Sequence, residues 1–131
     1  MKLNNVSYQY KRFRWFFTSS GKLVIGGKSA EQNEQVIKQA KPKEIVLHTK
    51  TAGSPFCNIK GKADKKDIKE AAVFCAKYSR EWKKAKEKKS VEIHYFKKKD
   101  IFKKEDMKTG TFGVKKFKAI KVNKEDIEKI E

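Results

Sequence analysis

The chain has 131 residues, and its 34 Lys plus Arg exceed its 16 Asp plus Glu, which gives a net charge of +18 at pH 7. That length predicts one domain with one core over residues 1–131, and a 37% share of hydrophobic residues excludes a disordered basic tail. No stretch approaches the roughly 18 consecutive apolar residues of a membrane span, and the N-terminus lacks a signal-peptide pattern. We therefore expect a soluble cytoplasmic protein with no membrane partner, whose surplus charge attracts a polyanion, by default a nucleic acid.

The first stretch of the chain is aromatic and β-prone. Residues 12–18 and 22–25 flank a Ser-Ser-Gly turn at 19–21, a pattern that predicts a β-hairpin. Alternation along the first strand places Arg12 and Arg14 on the face opposite Trp15. We expect Trp15 to be a core residue.

A helix is predicted after the hairpin. Gly26 and Gly27 end the second strand, and Ser29 has the position of an N-cap, with Gln32 three residues later as in a capping box. The two glycines either permit a tight turn or expose backbone N–H groups to an anion. Asn33, in the first helical turn, is expected to brace the adjacent loop, and Pro42 stops the helix.

The middle of the chain predicts two strands and a long helix. Residues 44–48 and 56–60 are the strands, separated by a turn-rich segment. Asp64 or Asp67 caps the helix, which is expected to reach about Lys88. Its buried stripe recurs at three- and four-residue steps; the stripe consists of Ile68, Ala71, Ala72, Cys75, Ser79 and Trp82.

The last third predicts three strands and a short helix. Residues 90–96 alternate as a strand, the basic segment 97–104 follows, and a turn at 109–111 precedes a final strand pair at 112–114 and 117–122. Asn123, with Asp126 three residues on, caps a helix over 124–131. Helices interleaved with hairpins predict an α+β domain with a mixed or antiparallel sheet, a long central helix and two shorter helices.

Catalytic and metal-binding motifs are missing from the sequence. Cys57 and Cys75 are too few for a disulfide framework and are expected to be reduced core thiols. The two cysteines, with His48 and His94, lack the paired spacing of zinc sites, and no phosphate-binding or dinucleotide-binding glycine motif is present. The prediction is a protein that is not an enzyme and needs no metal or cofactor.

Several motifs in order resemble one known family. The segment 13–34 reads FRWFFTSSGKLVIGGKSAEQNE and is similar to the signature of the NFACT-R domain, the RNA-binding module of NFACT proteins. Further similarities follow in register at 45–48, 52–55, 70–72, Ser79, Trp82, 95–103 and 109–112. The resemblance covers about residues 12–122.

The resemblance implies a partner in translation, with tRNA or rRNA as the ligand. Full-length NFACT proteins act in ribosome-associated quality control, where they bind the large subunit and help tRNA add a tail to the stalled nascent chain. The 131 residues contain neither the N-terminal NFACT module nor the long coiled coil of those proteins. We therefore expect RNA binding here without tailing by this chain alone.

Basic residues near aromatic ones supply the candidate contacts to nucleic acid. The lysines of 97–104 follow Tyr95 and Phe96, and such a cluster tracks a phosphate backbone while its rings stack on bases. The alternative is a solvated strand exit whose aromatic residues point into the core. His48 either contacts nucleic acid or bonds to the neighbouring turn. The predicted nucleic-acid-binding residues are Arg12, Arg14, His48, Lys50, Lys97, Lys98, Lys99, Lys103, Lys104 and Lys116.

Other interpretations of the charge stay open at this point. The chain is alternatively a protein-docking module for the ribosome, an accessory module for a tRNA-modifying enzyme, or a general binder of nucleic acid, DNA included, because phosphate contacts do not separate the polymers. The RNA-binding interpretation requires the positive charge to lie on one coherent surface. The RNA species and the oligomeric state are left undetermined by the sequence.

Overall fold

The main sheet has six antiparallel strands. A computed structural model describes residues 8–51, 53–84 and 89–130. The strands of this sheet are β1 (Arg14–Phe17), β2 (Leu23–Gly26), β3 (Ile45–Thr49), β4 (Cys57–Ile59), β5 (Ser90–Lys97) and β8 (Lys118–Asn123). Their order across the sheet is β1-β2-β4-β3-β5-β8. Two short strands, β6 (Ile101–Phe102) and β7 (Gly113–Val114), pair with each other outside this sheet.

Four helices accompany the strands in the described residues. They are α1 (Ala30–Gln39), α2 (Lys65–Lys77), α3 (Arg80–Lys84) and α4 (Lys124–Glu128). A 3₁₀ turn at Tyr8–Tyr10 precedes β1, and another at Lys98–Asp100 joins β5 to β6. The predicted α+β class with an antiparallel sheet is confirmed, but three shorter helices accompany the central one where two were expected.

Each face of the sheet is covered by its own hydrophobic cluster. Alternation sends Leu47 and Ile93 to the face on which α2 packs, while Val46 and Phe96 point to the opposite face, towards α1. Cys57 and Cys75 are free and fully buried in the α2 cluster, and burial raises the pKa of the Cys57 thiol well above its usual value. None of the described helices has the length and apolar character that crossing a bilayer requires.

The first hairpin and α1 form as the sequence predicts. β1 and β2 pair in register around the Ser-Ser-Gly turn. Ser29 is the N-cap of α1, and its Oγ accepts the backbone N–H of Gln32 at 3.2 Å. The Gln32 side chain reaches back to the backbone N–H of Lys28, at 2.9 Å, one residue earlier than a capping box requires.

The long helix expected to run to about Lys88 ends at Lys77, and this prediction was wrong. Asp64 caps α2 in a complete capping box with Asp67. The helix ends there because the Ser79 hydroxyl donates to the Ala76 carbonyl. The same hydroxyl accepts the backbone N–H of Trp82 and so caps the N-terminus of α3. Residues 85–88 of the predicted helix lie outside the described residues.

The final strand pair was also predicted wrongly. β7 pairs with β6, and β8 pairs with β5, so the two strands expected to form a hairpin never meet. The basic segment 97–104 contains a 3₁₀ turn and β6. Asn123 precedes α4 as expected but makes no side-chain capping hydrogen bond.

Candidate nucleic-acid interface

A cleft of about 850 Å³ lies beside the C-terminal end of β3, between the start of α1 and the start of α3. Its walls come from the N-terminus of α1, the loop that follows β3, the start of α3 and the turn at 109–111. The segments that form it are distant in sequence, and the antiparallel order brings them together. The cleft has the size of a ligand-binding site.

The charged side chains that line this cleft are of one sign. Five basic residues line it, and no aspartate or glutamate is among the described residues that do. The basic residues are Arg14, Lys28, Lys50, Arg80 and Lys83. The N-terminal end of α1, where Ser29 and Ala30 line the cleft, adds the positive end of a helix dipole. A cleft walled by one sign of charge concentrates the opposite sign, here an anion.

The floor of the cleft is aromatic. The imidazole of His48 stacks on Phe56 with the ring centroids 4.1 Å apart, and Phe112 meets Phe56 edge-on at 5.3 Å. Tyr78 carries the guanidinium of Arg14 over its ring at 4.4 Å from the centroid, and Arg14 also donates to the Gly27 carbonyl at 3.1 Å. Arg14 is thus held in place at the rim.

His48 is a neutral ring at physiological pH. Burial lowers the pKa of His48 to about 4, and the nearby His94 pushes the pKa the same way. Its Nδ1 lies 2.8 Å from the Thr49 carbonyl oxygen. A carbonyl only accepts, so Nδ1 carries the proton and Nε2 has none to donate to a phosphate. This geometry favours the alternative in which His48 bonds to the neighbouring backbone, and its contact with nucleic acid stays a prediction.

Gly26 is the last residue of β2, and Gly27 allows the start of α1 to approach closely. Gly27 N–H donates to the Phe56 carbonyl at 3.2 Å, so it is not free for an anion. A Cβ at Gly27 would collide with the amide oxygen of Asn33. That oxygen accepts the backbone N–H of Phe56 at 3.0 Å, so Asn33 braces the neighbouring segment, as expected.

A small latch holds the 109–111 turn against α1. Glu34 accepts the Gly110 N–H at 2.7 Å and the Lys103 ammonium at 2.7 Å. The same ammonium donates to the carbonyls of Lys108 and Thr111. Gly110 has φ +82°, and a Cβ there would lie 2.9 Å from the Ala30 Cα. Burial acts to raise the pKa of Glu34, but these hydrogen bonds and the Lys103 charge hold it below its usual value.

We expect Glu34→Ala to loosen this wall of the cleft without unfolding the protein. The Gly110 N–H and the Lys103 ammonium lose a charged acceptor, which costs about 1 to 2 kcal/mol locally. The amide of Gly110 should therefore exchange with deuterium about tenfold faster. Glu31→Ala is the control, because Glu31 lies in the same helix and is exposed. Equal exchange rates at Gly110 in the two variants would contradict the latch.

The structure brings together only part of the predicted set of contacts. Arg14, His48 and Lys50 line the cleft. The other members lie elsewhere in the fold; they are Arg12, Lys97, Lys98, Lys99, Lys103, Lys104 and Lys116. Lys103 makes the latch, and Lys98 Nζ donates to the Ala40 carbonyl at 3.3 Å. Their binding to nucleic acid stays a prediction.

Two further expectations change with the structure. Phe96 is buried, and Tyr95 packs against the α2 cluster, so the aromatic residues ahead of the 97–104 segment belong to the core. Exposed lysines also occur outside the cleft, for example Lys65 and Lys66 at the N-terminal end of α2. The positive charge is therefore not confined to one surface. The described lining of the cleft, however, contains basic residues and no carboxylate.

Three basic lining residues escaped prediction from the sequence. Lys28, Arg80 and Lys83 come into the cleft only because α1 and α3 begin there. The backbone N–H of Arg80 donates to the Gly53 carbonyl at 2.8 Å, which fixes the start of α3 against the loop after β3. The Ser79 cap was the available signal, because serine starts helices more readily than it continues them.

Among the described residues, no three His, Cys, Asp or Glu side chains are grouped so as to hold a metal ion.

Comparison of the fold finds a similar solved structure, the C-terminal part of the fibronectin/fibrinogen-binding protein from Streptococcus suis, with a TM-score of 0.77. The two chains are 20% identical, and the match covers 89% of this chain and 48% of the other. This likeness supports the fold alone.

Sequence comparison connects the chain to much longer proteins. The archaeal Rqc2 homolog aRqcH of Methanocaldococcus jannaschii is 42% identical over 78 residues, which is 56% of this chain and 12% of that protein. The human ribosome quality control complex subunit NEMF is 31% identical over 80 residues, 57% of this chain and 7% of that protein. The sequence profile of the NFACT protein RNA binding domain matches residues 12–116. Because this profile covers most of the chain, the chain belongs to the NFACT protein RNA-binding domain family.

Proposed function

We propose that this protein is a non-enzymatic RNA-binding module that contacts tRNA or rRNA in ribosome-associated quality control. The observation that carries the proposal is the cleft with five basic residues and no carboxylate among its described lining. Family membership supports RNA as the polyanion. The relatives named as an Rqc2 homolog and as ribosome quality control subunits support the setting.

The chemistry of the cleft suits a sugar-phosphate backbone. Lys28, Lys50 and Lys83 are exposed lysines. Their ammonium groups act as point charges that bind a phosphate in many orientations. Arg80, with its planar fork, is able to hold two phosphate oxygens at once. Contacts of this kind position a strand without reading its sequence.

A catalytic role has no support in this geometry. The described lining contains no carboxylate to act as a general acid or base. His48 is stacked on Phe56, bonded to the Thr49 carbonyl and neutral. We propose a binding module whose surface holds RNA and leaves it chemically unchanged, and we propose the cytoplasm as the place where it acts.

The test is a salt titration with a double variant of the cleft. Lys50→Ala combined with Arg80→Ala removes two charges that face the cleft. The affinity for tRNA should fall at every salt concentration, by about tenfold or more near physiological salt. The slope of log affinity against log salt should become shallower by about 0.7 to 0.9 per lost phosphate contact. Fluorescence anisotropy with labelled tRNA at five salt concentrations measures both quantities.

The matched control removes two charges that do not line the cleft. Lys65→Ala with Lys66→Ala gives the same net charge change on α2, where both side chains are exposed. This control should keep the wild-type slope. Equal slope changes in the two double variants would mean that the cleft is not the binding site. A third variant, Lys97→Ala with Lys98→Ala and Lys99→Ala, determines whether the 97–99 segment contributes contacts of its own.

A further inference from the structure

One exposed aromatic ring lies next to the cleft. Phe117 is 52% exposed and is the more exposed of the two large hydrophobic residues that are exposed in the described part of the chain. It comes just before β8 and one position beyond the 12–116 segment that matches the family profile. A single exposed apolar residue is ordinary in itself. Phe117 differs because its ring stacks on His94, which lines the cleft.

The ring of Phe117 is supported from one side. It stacks on the imidazole of His94 with the centroids 4.1 Å apart and the planes inclined by 15°. Ala119 is the direct partner of His94 in the β5–β8 register. Its methyl side chain leaves the diagonal neighbour Phe117 room to cover the imidazole. Nε2 of His94 is bonded to Glu92 at 2.9 Å, which fixes the imidazole in turn. Phe117 is therefore a braced platform, with one face on His94 and the other towards solvent.

The platform adjoins the cationic cleft, because His94 lines that cleft. Exposed lysines flank the ring in sequence, at Lys116 and Lys118. A rigid aromatic face beside a row of ammonium groups matches the way proteins hold single strands, with phosphates on the cations and bases on the rings. An intact duplex buries its base faces and has none to offer such a ring, whereas an unpaired nucleotide does.

We propose that Phe117, braced by His94, is a stacking site for an unpaired nucleobase of the RNA strand whose phosphates occupy the cleft. The proposal rests on the proposed function and adds a ligand class to it, namely single-stranded segments such as loops and ends. The stack places one base at the β8 edge of the cleft, and Lys50 and Lys83 hold the phosphates that follow. Sequence preference at this position is weak, because every base has a face that stacks.

The experiment uses the full chain and a ten-nucleotide single-stranded adenosine RNA with one 2-aminopurine. Phe117→Ala should weaken its binding about tenfold and leave the salt slope unchanged. The 2-aminopurine fluorescence, quenched on stacking with the wild type, should be restored. Phe117→Trp should retain affinity and quenching. Phe117→Leu should behave like Phe117→Ala, since leucine keeps an apolar side chain without a ring.

Two controls separate the possible failures. Ile130→Ala changes the other exposed large hydrophobic residue, which is 44% exposed, and should leave binding unchanged. A fully paired RNA duplex of equal charge that has no loop should be insensitive to Phe117→Ala. If single strands bind in a manner that depends on Lys50 and Arg80 but not on Phe117, the stacking site is overturned and the proposed function stands. If the wild type binds no RNA, both are overturned.

Discussion

Replacing Asp67 with alanine is expected to lower the free energy of unfolding by about 3 to 4 kcal/mol. The carboxylate is buried, with 1% of the residue exposed, and lies where the first hairpin meets the start of α2. It accepts the hydroxyls of Thr18 and Ser20 and the backbone N–H of Asp64. Alanine leaves three donors without their acceptor, in a site where Thr18 is itself buried. Urea denaturation followed by tryptophan fluorescence measures the loss.

The control for Asp67 lies three residues further along the same helix. Glu70 accepts the backbone N–H and the hydroxyl of Ser19, but at an exposed position. Glu70→Ala should therefore cost no more than about 1 kcal/mol, because water replaces the lost partner. If the two variants lose equal stability, burial is not what makes Asp67 important.

The same carboxylate gives the fold a defined acid sensitivity. Burial acts to raise the pKa of Asp67, but the hydrogen bonds from Ser20, Asp64 and Thr18 outweigh burial and hold the pKa at about 2. An unfolded aspartate has a pKa of about 3.9. The folded pKa is the lower one, so this contribution is complete above about pH 4 and is lost as the pH falls towards 2. Asp67→Asn has no such group, and its stability difference from the wild type should shrink over that window.

Glu44→Ala is expected to be comparably damaging, at about 3 to 4 kcal/mol. Glu44 is 6% exposed and binds the Lys60 ammonium at 2.8 Å, together with the backbone N–H groups of Lys41 and Gly61. Burial acts to raise the pKa of Glu44, and these three donors together keep it below its usual value. Without Glu44, the partly buried ammonium has no carboxylate partner and retains the amide oxygens of Gln39 and Asn58 and the ring of Tyr10.

A double-mutant cycle tests this pair. Lys60→Met removes the ammonium and keeps the apolar stem, so the combination with Glu44→Ala should cost less than the sum of the single changes, by about 1 to 2 kcal/mol. Lys69→Met is the control, because Lys69 lies 3.8 Å from Asp126 with both side chains more exposed, and it should cost under about 1 kcal/mol. Additive free energies in the cycle would show that the pair is not coupled.

Local signals in the sequence were sufficient for much of the fold. The first hairpin, the Ser29 cap of α1 and the alternation that gives β5 each depend on residues that are neighbours along the chain, and all three are present. Burial of both cysteines followed from their apolar neighbours in a strand and on a helical stripe. Patterns of this kind act over one or two turns of chain, and a single sequence displays them directly.

Contacts between distant segments were beyond the same reasoning. Ser79 fitted the spacing of the α2 stripe, and only the bond from its hydroxyl to the Ala76 carbonyl shows that the helix ends there. β7 pairs with β6 because the 109–111 turn docks on α1 through Glu34, 76 residues from Gly110. Lys103 was predicted as an RNA contact from its charge; the structure adds that its ammonium holds that turn, and the RNA contact stays a prediction.

The cleft draws its lining from Arg14 at one end of the chain to Val114 near the other. No short peptide excised from this protein therefore reproduces the arrangement, and a proteolytic nick that releases either terminal third dismantles it. Any ligand that occupies the cleft recognises the completed native state and not the denatured chain. Occupancy should consequently raise the melting temperature of the whole molecule in proportion to the logarithm of ligand concentration, so thermal shift serves as a screen for what binds there.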